Sequence, residues 1–317
     1  MRVAFVFPGQ GSQSVGMLGR FAAGSDVIRQ TFAEAEEVLG YDLWTLTQEG
    51  PAEELNRTEC TQPAMLAAGV AIWRFWRAQG GALPQIVCGH SLGEFSALVC
   101  ARALEFPTAM QLVQFRARVM QEAVPVGTGA MAAILGLEDA EVVAACLEAQ
   151  GGQVVEAVNF NSPSQVVIAG DRAAVERAIA AASARGAKRA ILLPVSVPSH
   201  SSLMEPAAQR LAERMADVAI RTPDIRYVSA VDGLEHSDPG DIRALLGRQL
   251  ARPVYWTQTV RALLASGVQA LIECGPGKVL TGLNRRIERR ADLACLALED
   301  ADAVSAALAL SVESTDA

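Results

Sequence analysis

The run Ile86-Val87-Cys88-Gly89-His90-Ser91-Leu92-Gly93-Glu94-Phe95 joins an apolar segment to a helical one through the pattern G-x-S-x-G. Small residues at 89 and 93 permit a sharp strand-to-helix turn, which lifts Ser91 out of the chain and faces it with a helix N-terminus. A serine so placed is a nucleophile, and the amide of Leu92 is free to stabilise an oxyanion. The hydroxyl needs a base to take its proton, usually a histidine. The chain has three, His90, His200 and His236. His90 adjoins Ser91 in the turn, so its ring points elsewhere, and His236 sits in a polar loop with Glu235 and Asp238. His200, in Val197-Pro198-Ser199-His200-Ser201 just before a new helix, is the base by elimination.

No acidic residue near His200 stands out as its orienting partner; Glu205 is closest in sequence and is expected to face outward from a helix. An uncharged acceptor could serve instead, since the role is to fix tautomer and geometry. In the helix predicted over 242–250, Ile242, Leu245, Leu246 and Leu250 share a face, and Gln249 falls inside it. A buried amide needs partners, and neighbouring backbone would satisfy it equally well. Between Pro107 and Glu122, the residues Ala109, Leu112, Val113, Val119 and Met120 define an apolar face with Arg116 in its middle, while Arg118 points the other way. An inward guanidinium must be paired, and its planar fork suits a carboxylate. That carboxylate belongs either to a ligand or to Glu94 or Glu122 in a buried ion pair. Ser91, His200 and Arg116 together describe transfer of an acyl group that keeps one free carboxylate; a generic esterase has no need of the arginine.

These residues must be held by a chain of 317 residues, long enough for one large or two ordinary domains. Charges sum to 27 − 35 = −8 without any long like-charged block, which argues against nucleic acid as a partner. Apolar residues make up 51% and charged residues 20%, and no apolar run approaches the ~18 residues needed to span a bilayer, so no membrane association is expected. One Arg and five apolar residues before Pro8-Gly9 are too short for a signal peptide and read as a first strand. Six scattered cysteines without a CxxC pair read as reduced and mostly buried, hence a cytoplasmic protein. Three histidines and no Cys/His cluster predict no metal.

Short Val/Ile-rich runs alternate with Ala/Leu-rich helical stretches, the pattern of an α/β protein with a mostly parallel sheet covered by helices. Its strands are predicted over 3–7, 85–88, 226–229 and 270–273, with the site built from the loops at their C-terminal ends. Residues 125–196 read as β-α-β-β-α-β, the split ferredoxin-like order: strands over 129–136, 154–159, 165–169 and 190–194, helices over 138–150 and 172–185. They are expected to form a small subdomain inserted into a larger one of residues 1–124 and 197–317, with crossings at 124–127 and 194–198. Residues 301–317 are expected to end as a peripheral helix and a frayed tail. Gly9-Gln10-Gly11 fails as a dinucleotide fingerprint because the third glycine falls on Ser14. Gly275-Pro276-Gly277-Lys278 fails as a P-loop because Ile272 and Val279 replace required residues.

Five separated stretches carry a resemblance: Phe7-Pro8-Gly9-Gln10-Gly11-Ser12-Gln13; Thr61-Gln62-Pro63-Ala64; Gly89-His90-Ser91-Leu92-Gly93-Glu94; Val197-Pro198-Ser199-His200-Ser201; and Glu273-Cys274-Gly275-Pro276-Gly277-Lys278-Val279-Leu280. In that order they resemble the malonyl-CoA:acyl carrier protein transacylases, over nearly the whole chain. The resemblance implies an α/β-hydrolase-like large subdomain with a ferredoxin-like insertion. It implies that Ser91 takes malonyl from malonyl-CoA and gives it to the phosphopantetheine thiol of acyl carrier protein, with no cofactor bound to the enzyme itself. His200 would act as base and then acid, with the amides of Leu92 and Gln10 as the oxyanion hole. Arg116 would hold the malonyl carboxylate, the main-chain carbonyl of Gln249 would orient His200, Gln62 would contact substrate, and Asn159 and Asn161 would line the cleft. The resemblance also implies a freestanding, monomeric enzyme of fatty acid synthesis. A trans-acting acyltransferase of a polyketide pathway, a serine thioesterase or hydrolase, and a non-catalytic carrier-binding module remain the alternatives. For an acidic carrier protein, Arg285, Arg286, Arg289 and Arg290 as one helical stripe, or Lys188-Arg189, offer basic surface, though a solvated face explains the stripe as well.

Overall fold

The computed structural model describes residues 1–22, 25–125, 127–195 and 197–312. Its strands are β1 (Val3–Phe7), β2 (Ile86–Gly89), β3 (Gly129–Leu135), β4 (Val155–Ser162), β5 (Gln165–Asp171), β6 (Arg189–Leu192), β7 (Arg226–Val228), β8 (Glu235–His236), β9 (Ala270–Glu273) and β10 (Ala294–Ala297). They form a six-stranded sheet in the order β10-β9-β1-β2-β7-β8 and a four-stranded sheet in the order β4-β5-β3-β6. With helices packed on both, the molecule is α/β.

Central strands of the larger sheet are short and apolar because both faces are covered. Phe5, Phe7 and Val87 pack on one side with Trp73 and Trp76, whereas Ala4, Val6, Ile86 and Cys88 pack on the other with Trp256 and Val260. That split follows directly from the two-residue period of a strand. The pairings β1/β2, β1/β9, β9/β10 and β2/β7 are parallel. The sheet is not wholly parallel, however: two-residue β8 turns back antiparallel on β7. Neither β8 nor the edge strand β10 was expected, since two residues, or four only half buried, leave little alternation to read.

Residues 129–192 run β3, helix Asp139–Ala149, β4, β5, helix Arg172–Ala184, β6, with every pairing antiparallel. Ala130, Ala132, Ile134 and Ile168 face these helices, while Met131, Val158, Val167 and Ala169 face the other way. β4 extends to Ser162, beyond the expected end at 159, because irregularities at Ala157/Asn159 and Phe160/Ser162 break its alternation. β6 ends at Leu192, before Pro194. Within the expected crossings, Val126 and Ser196 lie outside the described residues, as do residues 313–317 of the tail; helix Ala301–Val312 precedes them. The two sheets are joined where β4 meets Val254: Phe160 N donates to Val254 O at 2.9 Å and Val254 N to Val158 O at 2.8 Å. The rings of Phe160 and Tyr255 stack beside this joint, 5.2 Å apart.

The four arginines at 285–290 do not form one helical stripe. Their helix, Val279–Ile287, ends before Arg289. Arg285 donates to Cys295 O, Arg286 to Gln165 Oε1, and Arg290 pairs with Asp292.

Candidate active site

β2 passes into helix Gly93–Cys100 through a turn whose glycines are dictated by contact. A Cβ on Gly89 would lie 2.0 Å from the Gly93 carbonyl carbon, and one on Gly93 would lie 2.0 Å from Phe7 O. Ser91, between them, has φ 53°, a left-handed conformation that few side chains adopt. Leu92 caps the helix N-terminus, so its amide is among the first-turn donors that have no partner within the helix. Gly9 presses the loop after β1 onto this turn, where a Cβ would meet His90 O at 2.6 Å. Gln10 therefore lines the same cleft as Ser91 and Leu92.

His200 Nε2 lies 2.8 Å from Ser91 Oγ. Its Nδ1 is 3.0 Å from two main-chain carbonyls, those of Gln249 and Arg252. Carbonyls only accept, so Nδ1 carries the proton and Nε2 is left as the acceptor facing the serine hydroxyl. Burial, reinforced by the Arg116 charge, pushes the imidazole pKa down to about 3 against the raising effect of both carbonyls. The ring is neutral at physiological pH and can accept a proton. The other histidines lie elsewhere: His90 Nε2 donates to Asn161 Oδ1 at 2.8 Å, and His236 sits 3.1 Å from Asp232. Glu205 is exposed and pairs with Arg252.

Arg116 enters from helix Phe106–Glu122 and is only 1% exposed. Nη1 donates to Gln62 Oε1 at 2.8 Å, and Nη2 donates to Gln249 Oε1 at 3.0 Å and to Ser91 Oγ at 3.1 Å. Its buried Nε has no partner among the described residues. Neither acidic candidate forms an ion pair with it: Glu122 pairs with Arg210, and Glu94 hydrogen-bonds Gln249. Burial pushes the guanidinium pKa down to about 9, opposed by the Glu94 charge, so Arg116 remains a cation held by neutral groups. Gln249 occupies a 3₁₀ turn, Gln249–Ala251, after helix Pro239–Arg248, rather than continuing the helix expected to 250. Its carbonyl thus reaches His200 while its side chain reaches Arg116.

Glu94 was legible only as a possible partner for Arg116. It is fully buried, accepting from Ser229 Oγ at 2.9 Å and Ala230 N at 2.6 Å on Oε1, and from Gln249 Nε2 at 2.6 Å on Oε2. Burial raises its pKa to about 7 even against these bonds. A charge in the first turn of the mostly apolar helix Gly93–Cys100 was the available signal. The cleft holds about 520 Å³ and brings Gln10, Gln62, Ser91, Arg116 and His200 together with Met131 and Val167 of the smaller sheet and Leu193 just beyond it. Asn159 and Asn161 also line it. Among the described residues no group of His, Cys, Asp or Glu could hold a metal ion.

Residues 4–306 match the acyl transferase domain family. The chain belongs to that family. This acyl transferase is 57% identical over 305 residues to the malonyl CoA-acyl carrier protein transacylase of Salmonella typhimurium, covering 96% of this chain and 98% of that one. Its fold superposes on an acyl carrier protein S-malonyltransferase from Vibrio cholerae with a TM-score of 0.93 at 54% identity, covering 97% and 100% of the two chains. It superposes with a TM-score of 0.96 on a malonyl transacylase in complex with its type II polyketide acyl carrier protein, at 52% identity and 98% and 100% coverage. The resemblance carried by the five stretches therefore holds along the chain, and the protein is an acyltransferase.

Proposed function

We propose that this acyl transferase moves malonyl from CoA to the phosphopantetheine thiol of acyl carrier protein, in fatty acid synthesis, through an ester on Ser91. His200 Nε2 takes the Ser91 proton as Oγ attacks the thioester carbonyl. The amides of Leu92 and Gln10 hold the resulting oxyanion. Collapse of the tetrahedral adduct breaks the C–S bond, and the proton on His200 leaves with the CoA thiol. In the second half the carrier's thiol gives its proton to His200 and attacks the ester, and Ser91 departs with that proton. The Gln249 carbonyl keeps Nδ1 protonated throughout, in place of a triad acid, and Gln62 steadies Arg116. Phosphopantetheine arrives on the acceptor, so the enzyme needs no cofactor of its own.

The observation that carries this reading is a buried arginine, 3.1 Å from the nucleophile, with no carboxylate of its own. A malonyl carboxylate supplies one, and a hydrolase of neutral esters would not need the site. Replacing Arg116 by Ala is expected to lower the malonyl-CoA to acetyl-CoA ratio of kcat/KM by about a hundredfold, as for a site that loses its polar partner. An unchanged ratio would remove that role.

The strand order β-α-β-β-α-β over 129–192 supports reading residues 125–196 as a ferredoxin-like insertion into an α/β-hydrolase-like body of 1–124 and 197–317. Six free cysteines fit a reducing, cytoplasmic setting. The resemblance supports a monomer.

A further inference from the structure

Arg116 is held by two amides, and an amide has two unlike ends. Gln249 turns Oε1 to Arg116 Nη2, while its Nε2 donates to Ser91 O at 3.0 Å and to Glu94 Oε2 at 2.6 Å. Rotating that amide by half a turn would set an NH₂ against the guanidinium. Glu94 stands on the far side, accepting from Ser229 Oγ, Ala230 N and Gln249 Nε2, with the Tyr227 hydroxyl also beside its carboxylate. Of the three bonds that set the amide's direction, those from Arg116 and to Glu94 are charge-assisted, and the one to the carboxylate is the shortest.

We propose that Glu94 is a positioning residue for acyl selection, fixing the Gln249 amide so that its oxygen faces Arg116 and the guanidinium keeps its place beside Ser91. The inference rests on the proposed role of Arg116 as partner of the acyl carboxylate. Glu94 lies behind the cleft wall and acts through Gln249, whose main chain also holds His200.

The test is Glu94→Gln. A glutamine keeps the shape but accepts on one side only. With its oxygen held by Ser229 and Ala230, its NH₂ meets Gln249 Nε2 donor to donor, so the amide loses its shortest anchor and is pushed out of place against Arg116. The malonyl-CoA to acetyl-CoA ratio of kcat/KM is expected to fall about tenfold, malonyl losing more than acetyl, because only the malonyl group uses the guanidinium. A purely structural role would lower both substrates alike, so a wild-type ratio, with or without a general loss of activity, overturns the proposal. If E94Q does not fold, Gln249→Met keeps the carbonyl on His200 but removes the amide, and carries the same expectation; a wild-type ratio there overturns it equally. Arg116→Ala separates the two levels. A lowered ratio in R116A with a wild-type ratio in E94Q defeats this inference alone, whereas a wild-type ratio in R116A defeats the reading beneath it.

Discussion

Around the Ser91 hydroxyl, residues distant in sequence converge: His200 is 109 positions away, and Gln249, 158 positions away, binds its carbonyl oxygen. The serine was readable because G-x-S-x-G is local, and His200 because only three histidines compete. Arg116 was readable from helical period, since a charge in an apolar stripe announces itself within one turn. The partners of these residues were not readable, because neither period nor motif says which buried amide meets which guanidinium across 54 or 133 residues. Glu94 was missed as an anchor for the same reason. Burial of His200 has a measurable consequence. Its pKa lies below the usual 6.5, so the folded protein binds fewer protons here than the unfolded chain, and this contribution to stability falls as pH drops below about 6.5. Nitrogen chemical shifts of the His200 ring are expected to stay those of a neutral Nδ1–H tautomer from about pH 8 to about pH 5, where an ordinary imidazole would gain its proton. A titration midpoint near 6.5 would show a solvated ring.

The elements that hold the site differ in how openly the sequence declares them. β1, β2 and β9 are apolar runs bounded by Gly or Pro loops, and they occur within a residue of their expected limits. β8 and β10 are too short or too weakly patterned, and the irregularities of β4 hide its last turn toward the cleft. Two glycines separate contact from propensity. Gly93→Ala forces a methyl to 2.0 Å from Phe7 O, where the strand and the helix cannot both stay in place. It is expected to destabilise by more than about 2 kcal/mol, as overpacking against backbone does. Gly282, inside helix Val279–Ile287, has open space where a Cβ would lie, and Gly282→Ala is expected to stabilise by about 0.5–1 kcal/mol through helix propensity. Denaturant midpoints of the two variants should move in opposite directions; a shift of the same sign in both would refute the contact argument.

At the scale of the whole molecule, loops of the larger sheet line one wall of the cleft and the smaller sheet closes the opposite wall. Loops after β1 and β2 bring Gln10 and Ser91, while Met131 and Val167 present the apolar face that the helices of the smaller sheet leave open. The alternation of β3 and β5 made two-sided strands legible, but the direction of the free face depends on the joint at Val254, which no local pattern specifies. We propose that such a wall lets an acyl ester wait for a thiol instead of meeting water. Mixing the enzyme briefly with malonyl-CoA and then with phosphopantetheinylated acyl carrier protein, with intact-protein mass spectrometry at each stage, tests that most directly. A malonyl adduct on Ser91 is expected to persist until the carrier is added and then to appear on the carrier, and His200→Ala is expected to form the adduct ~10²–10⁴-fold more slowly. An adduct lost at the same rate with or without the carrier would contradict the transfer mechanism and identify water as the acceptor.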